Sequence, residues 1–429
     1  MYGKLRLRHK LGGRATPWYR RGAVGGVNPD LWLEWENSRY AVNQASVPFS
    51  PLQTFTRSTT ATYTNSVSAI ALAAIDEPRL DYSTGTRGLL MEEERANDMN
   101  STGLTSLTEA GGIGATTENY GIAPDGTQTT LLIERVSSFP FYFKEVSGLA
   151  TDDSYSNALF VRKTSGYSGA NQISLTAWFL GGTGTDVQHT VNLNTNTGVA
   201  SLAGSTPTNI KVEDYSDFWR VSFTGLNNST GNTRVRWSFK PLSIGQELEI
   251  WGYDLQEGGF ITSHIPNATA GSVSRTVDKN KIENIDTADW FNNPEFTTFW
   301  EFSPTNNSSG ILFSYFDTAG ASANRIVAEF TGSGLRVTIT TASATQFQYT
   351  IATASIQDLN RLALAVKEND IALAFNGVIL STDNSATIPT VDEFGIGNQT
   401  GSFTYTGVFH DHRNYPARLT NSEIEELTT

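Results

Sequence analysis

The sequence predicts an all-β protein built around two antiparallel β-sandwiches, with an extended N-terminal arm, a small β connector and a short C-terminal helix. Three observations lead there. Short runs of β-branched and aromatic residues recur between turn signals, with 38 glycines and abundant Thr, Ser and Asn. Hydrophobic residues make up 38% and aromatic residues 11% of the 429 positions, enough to fill real cores. The sharpest local signal is Ile371–Phe375, Asn376-Gly377, Val378–Leu380, because Asn-Gly supplies both positive φ angles of a type I′ hairpin turn.

Residues 1–30 read as a basic arm. Lys4, Arg6 and Arg8 alternate with Leu5 and Leu7, and Lys10, Arg14, Arg20 and Arg21 follow, with no acidic residue before position 22. Net charge is −13, so the rest of the chain carries −20. An acidic body disfavours nucleic acid, while the arm suits attachment to another, acidic surface. Trp18, Tyr19 and Leu31–Leu33 are costly to leave in water, which favours docking over a solvated tail.

Residues 31–119 read as a connector and linker. Phe55–Tyr63 has strand composition, Val67–Ile75 is apolar, and Pro78 ends any regular element there. Gly88–Met91 leads into Glu92-Glu93-Glu94, a run expected to be a solvated turn. Residues 100–119 are rich in Gly, Thr and Ser, as linkers are.

Residues 120–278 form the first sandwich. Strands are expected at 128–134, 139–145, 156–163, 173–180, 189–194, 210–214, 219–225, 234–239 and 247–255, at the spacing of a jelly roll. Residues 279–429 form the second, with strands at 297–302, 310–316, 325–330, 334–340 and 347–351 before the Asn-Gly hairpin. Thr420 and Glu423 make a capping box that opens the terminal helix.

Several classes of chemistry lack their signatures. There is no cysteine, hence no disulfide, thiol nucleophile or zinc-thiolate site. No phosphate loop, dinucleotide fingerprint or G-x-S-x-G elbow occurs. No apolar run reaches 18 residues, so neither a membrane span nor a signal peptide is expected. Glu247 and Glu249 share a strand face about 7 Å apart, near glycosidase spacing, but their apolar neighbours suggest an ordinary strand. His410 and His412 flank Asp411 and lack a third ligand in sequence, so a polar strand end is the simpler reading. Calcium fits acidic loops such as Asp152-Asp153, without a supporting motif. No cofactor is expected, and no residue is assigned a catalytic role.

Aromatic platforms remain, because sugars stack their C–H faces on Trp and Tyr rings. Tyr155, Tyr167, Trp178 and Tyr315 lie near polar loops and are the glycan-binding candidates. Trp219, Trp237, Trp251 and Trp300 fall within strand patterns and read as core.

Three stretches, Thr56–Tyr63, Glu77–Tyr82 and Gly88–Asn97, together resemble a unit that recurs in tailed-bacteriophage virion proteins ahead of carbohydrate-binding-like modules. Ala123–Gly126, Asp217–Phe223, Glu249–Gly258, Ile261–Asn267 and Ser274–Asp278 resemble the carbohydrate-binding-like jelly-roll module of such proteins. The final 150 or so residues, with Gly395–Gly397 and Tyr415–Ile424, resemble the concanavalin/laminin-G-like lectin fold. The resemblance implies a tail fibre, spike or capsid decoration protein, made in the host cytoplasm and exposed on the virion. It implies attachment to other virion proteins through Lys4, Arg6, Arg8, Arg14, Trp18, Arg20 and Arg21, adhesion to host-surface polysaccharide, and a homo-oligomer, commonly a trimer. The alternatives are a virion polysaccharide depolymerase and a purely architectural stabilising protein.

Overall fold

Period-two alternation decides which side chains fill the interior, and it gives two sandwiches of antiparallel sheets. The computed structural model describes residues 18, 22–101, 107–110, 116–137, 141–150, 153–164, 172–227, 231–269, 271–305, 309–399 and 404–429.

The first sandwich pairs two six-stranded sheets. One runs Thr108–Ala110, Phe141–Ser147, Arg234–Pro241, Gln172–Leu180, Val187–Asn194, Ala200–Gly204. The other runs Thr116–Thr117, Leu131–Glu134, Glu247–Glu257, Ser154–Arg162, Phe218–Leu226, Thr208–Tyr215. Their inner faces meet in one core containing Leu175, Phe179, Phe223, Trp237, Phe239 and Tyr253. The Gly/Thr/Ser-rich stretch expected as a linker therefore supplies an edge strand to each sheet.

The second sandwich draws on both ends of the chain. Its larger sheet orders Ala45–Ser46, Arg39–Val42, Leu31–Glu34, Gly407–Tyr415, Glu295–Pro304, Asn360–Lys367, Ile371–Phe375, Val378–Asp383. Gly88–Met91 also pairs with Gly407–Phe409. The facing sheet takes Thr54–Thr56 beside Lys279–Glu283 and continues through Glu393–Ile396, Gly310–Phe316, Arg325–Thr331 and Gly334–Thr341 to Ala344–Ala352. Strands from the stretch read as a separate connector thus lie in both sheets, and the first sandwich is inserted between them and the remainder. Phe55–Tyr63, expected as one strand, divides into Thr54–Thr56 and Ala61–Thr64, with Arg57 turned inward between them.

Local patterns explain the second sandwich's layers. In Leu362–Val366 and Ile371–Phe375, the larger side chains face the main core, while Ala363, Ala365, Ala372 and Ala374 face outward. Those small side chains let the helix Asn421–Leu427 lie close, sealed by Ile424 and Leu419. Thr420 caps that helix as the sequence indicates: its hydroxyl accepts from the Glu423 amide while Glu423 reaches back to the Thr420 amide. Asn376 and Gly377 have φ of 45° and 79°, as the hairpin requires.

The two sandwiches and the strands between them meet at a buried ion cluster. Arg57, Arg79, Arg275, Glu92 and Asp278 are each at most 2% exposed. Arg79 pairs with Glu92 at 2.5 Å and also with Asp278; Arg275 pairs with Glu92 at 2.8 Å, and Arg57 with Asp278 at 3.0 Å. Glu92 was expected in a solvated turn. Instead two guanidiniums, with the Ser263 hydroxyl and amide, overcome the effect of burial and hold its carboxyl down at about 2. Asn97 adds a second buried tie, donating to the Tyr253 and Ile265 carbonyls and accepting from the Met99 and Leu255 amides.

Candidate functional site

Among the four aromatic residues singled out from sequence, the structure separates surface from core. Tyr155 is 4% exposed and belongs to the first core, a correction to its reading as a platform. Burial raises its hydroxyl pKa well above the ordinary tyrosine value. Tyr315 is fully buried, stacked on Phe394 at 4.4 Å, its hydroxyl bonded to Thr298 and Asn414; it too is a core residue, not a platform. Both sit at inward positions of their strands, which proximity to a polar loop does not reveal. Tyr167 lies outside the described residues. Trp178 is half-buried on an outward face.

That face belongs to the sheet containing Gln172–Leu180. Ile173, Leu175, Ala177 and Phe179 point into the core, so Ser174, Thr176 and Trp178 point out. Register then assembles two neighbouring rows across four strands. One is Glu145, Arg236, Trp178, Gln188; the next is Phe143, Ser238, Thr176, Thr190. The Arg236 guanidinium lies 4.5 Å from the Phe143 ring centre and 5.5 Å from that of Trp178. Such contacts contribute about 0.5–2 kcal/mol each. Glu145 fixes Arg236 through Nε and Nη2, at 3.2 and 2.9 Å, and accepts from Arg234 Nη1 at 2.8 Å. Burial raises the Glu145 pKa, but these bonds from Arg236 and Arg234 outweigh it and hold the carboxylate below its usual range. Phe141 extends the apolar strip, 5.6 Å from Phe143.

Polar groups flank this strip. Thr176 and Thr190 hydroxyls are 3.0 Å apart, and Gln188 donates to Thr190 at 3.2 Å. The face therefore offers half-exposed rings, a cation held flat by Glu145, and hydroxyl and amide groups within one or two strand spacings. It can stack the apolar side of a pyranose and fix its hydroxyls. Phe143, Arg236 and Glu145 were not identified from sequence; the alternation Arg234-Val-Arg-Trp-Ser-Phe239 carried the signal, since Trp237 inward places Arg236 outward.

The remaining candidates fall elsewhere. Trp18 is half-buried, edge-on to Trp32 at 5.1 Å, with Arg39 over its ring. Lys4, Arg6, Arg8, Arg14, Arg20 and Arg21 lie outside the described residues. Glu249 is engaged by Arg162 and by the Thr130 hydroxyl at 2.6 Å, while Glu247 is exposed. A β-bulge at His410 sends the two histidines apart. His410 bonds Ser303, whereas His412 stacks on Trp300 at 4.0 Å in the core, where burial lowers its pKa to about 3. Trp237, Trp251 and Trp300 are core residues as their pattern indicates, and Trp219 is half-buried. No helix among the described residues is long and apolar enough to cross a membrane.

Fold and face together define an all-β protein of two sandwiches, one carrying an outward aromatic–arginine surface. No protein-family model matches the chain, and no curated protein sequence matches it. Among solved structures, the carbohydrate-binding module CBM40 of the Ruminococcus gnavus IT-sialidase, bound to α2,3-sialyllactose, is similar at 18% identity. That likeness spans 32% of this chain and 84% of the module, with a TM-score of 0.28. Domain 4 of AbnA, a GH43 extracellular arabinanase from Geobacillus stearothermophilus, is 13% identical over 37% of this chain and 77% of its own, with a TM-score of 0.29. A SAP-like pentraxin from Limulus polyphemus is 15% identical over 32% and 70%, with a TM-score of 0.27.

Proposed function

We propose that this chain is a glycan-binding structural protein of a tailed-phage virion: a tail fibre, spike or capsid decoration that contacts host-surface polysaccharide through its first sandwich. The aromatic–arginine face around Trp178 carries the binding part of this reading. A half-exposed Trp beside a Phe–Arg–Glu array, with hydroxyl and amide groups alongside, suits an extended neutral or acidic sugar chain. The virion part is supported by the motif resemblance of Thr56–Asn97. Its residues Arg57, Arg79 and Glu92 meet Arg275 and Asp278 of the Ser274–Asp278 motif in one cluster, so the motif has a structural role that explains its composition. The basic arm is the attachment element in this reading, and the protein works on the particle surface as a homo-oligomer.

The test of binding is Trp178→Ala in the full chain, assayed on immobilised host-surface polysaccharide with the melting curve as a fold control. We expect at least a ten-fold loss of affinity, about 1.4 kcal/mol or more, with an unchanged melting temperature. Equal binding by the variant and the parent chain would refute the assignment of the face. Cryo-EM of the particle tests the virion part, and a particle without density for this chain would end it. A reducing-end assay on the same polysaccharide separates adhesion from depolymerisation.

A further inference from the structure

Away from the Trp178 face, a cavity of about 450 Å³ lies where the connector strands, the first sandwich and the second sandwich converge. Its size falls in the roughly 300–1,000 Å³ range of small-molecule sites. Nine of its 21 lining residues bear a hydroxyl, among them Thr64, Thr84, Thr86, Tyr215, Ser263 and Ser303. Apolar wall comes from Leu90, Ile261, Pro304 and Val408.

Charge decides what such a space accepts. Four carboxylates line it, Asp81, Glu92, Glu213 and Asp358, against two cations, Lys211 and Arg220. The cations are already engaged: Lys211 donates to the Thr305 carbonyl at 2.9 Å, and Arg220 pairs with Glu213 at 3.3 Å and donates to the Thr262 carbonyl at 2.7 Å. Glu92 is neutralised by Arg79 and Arg275. Asp81 accepts from the Thr64 and Ser83 amides at 2.6 and 2.7 Å, and burial raises its pKa. His410 is 2% exposed, bonded to Ser303 at 3.1 Å, and burial keeps it neutral. Arg220, 5% exposed, has no hydrogen-bond partner at Nε. An anion would meet surplus carboxylate here. A neutral polyhydroxylated ring would meet acceptors for its hydroxyls, hydroxyl donors for its ring oxygen, and apolar wall for its C–H faces.

We propose that this junction cavity is a second ligand site, for a neutral saccharide unit of one or two rings, distinct from the Trp178 face and formed only when both sandwiches are in place. Its walls come from three parts of the chain, so an occupant stabilises their mutual arrangement. The site does not depend on the adhesion reading, since it shares no residue with that face.

Saturation-transfer NMR and calorimetry on the full chain test it, with glucose, galactose, mannose and N-acetylglucosamine as probes and inorganic phosphate as the anionic comparison. Two variants address the cavity: Glu213→Gln removes an acceptor, and Thr84→Trp places bulk at an exposed position on its wall, where folding is least affected. We expect saturable binding of at least one sugar at millimolar concentration, a raised melting temperature on saturation, and a loss of ten-fold or more in both variants. The titrations are run in the Trp178→Ala background, where the outward face no longer contributes the Trp178 stacking ring for the same sugars. In that background, absence of saturable binding by all four sugars overturns the proposal, as does binding that survives both cavity variants or that is weaker than binding of phosphate.

Discussion

Removing the charge of Asp278 should be among the most destabilising single changes in the protein. Its carboxylate is fully buried and accepts from Arg57 Nη1 at 3.0 Å, from Arg79 Nη2, and from the Glu92 amide at 2.9 Å. The cluster holds three guanidiniums against two carboxylates, and the surplus cation shows: burial, with repulsion from Arg79, lowers the pKa of both Arg57 and Arg275. Asp278→Asn would leave three buried cations facing Glu92 alone. Breaking a buried pair by removing one partner costs about 3–5 kcal/mol. At roughly 2–4 °C per kcal/mol for a unit of this size, the melting temperature should fall by about 6–20 °C. Arg57→Met is the informative comparison, because it removes the surplus cation while Asp278 keeps Arg79. Its cost is the donors lost by the Thr59, Ala74 and Glu77 carbonyls, about 1–3 kcal/mol. Calorimetry and urea titration of the two variants decide the matter. A shift for Asp278→Asn smaller than that of Arg57→Met would refute the charge-balance argument.

Other outcomes follow from the same structure. Glu92 titrates at about 2 in the folded chain against an ordinary 4.5. It therefore contributes about 3 kcal/mol above pH 4.5, lost as pH falls through 2; stability of Glu92→Gln should lack that acid limb. Burial raises Asp411 to about 6 and lowers His412 to about 3. Folding then takes up a proton at Asp411 below about pH 6 while it excludes one from His412 below 6.5, and the two slopes oppose each other between roughly pH 4 and 6. Asp411→Asn should expose the histidine slope, with stability falling about 1.4 kcal/mol per pH unit on acidification over that window; a flat profile would contradict it. Gly377→Ala forces a side chain to φ of 79°, with its Cβ 3.2 Å from Thr429 Oγ1, and should cost about 1–2 kcal/mol by urea titration.

Much of the fold was legible because its signals are local. The alternation in Ile173–Leu180, the Asn-Gly turn and the Thr420 cap each act within a few residues, and each element formed where they indicated. Pairing partners were hidden, since nothing local in Leu31–Glu34 announces that it lies beside Gly407–Tyr415. The site shows the same division. Trp178 does face outward, but Tyr155 and Tyr315 were misplaced because composition near a loop does not fix strand phase, whereas apolar neighbours at every second position do. Glu92 was misread for a related reason. Three adjacent glutamates look solvated until Arg79, one strand earlier, and Arg275, distant in sequence, are brought against the first.

The insertion of one sandwich within another sets an order of events during synthesis. The first sandwich has all its strands once Glu257 has emerged, and the pairing of its two sheets is closed within that stretch. The strands Leu31–Glu34 and Gly88–Met91 gain their second neighbour only with Gly407–Tyr415, about 300 residues later than Met91. At roughly 5–20 residues per second, that is about 15–60 s during which each of these strands has only its early neighbour, Arg39–Val42 or Arg79–Asp81, and its other edge is unpaired. An unpaired strand edge exposed for that long is open to pairing with another chain before the native neighbour arrives.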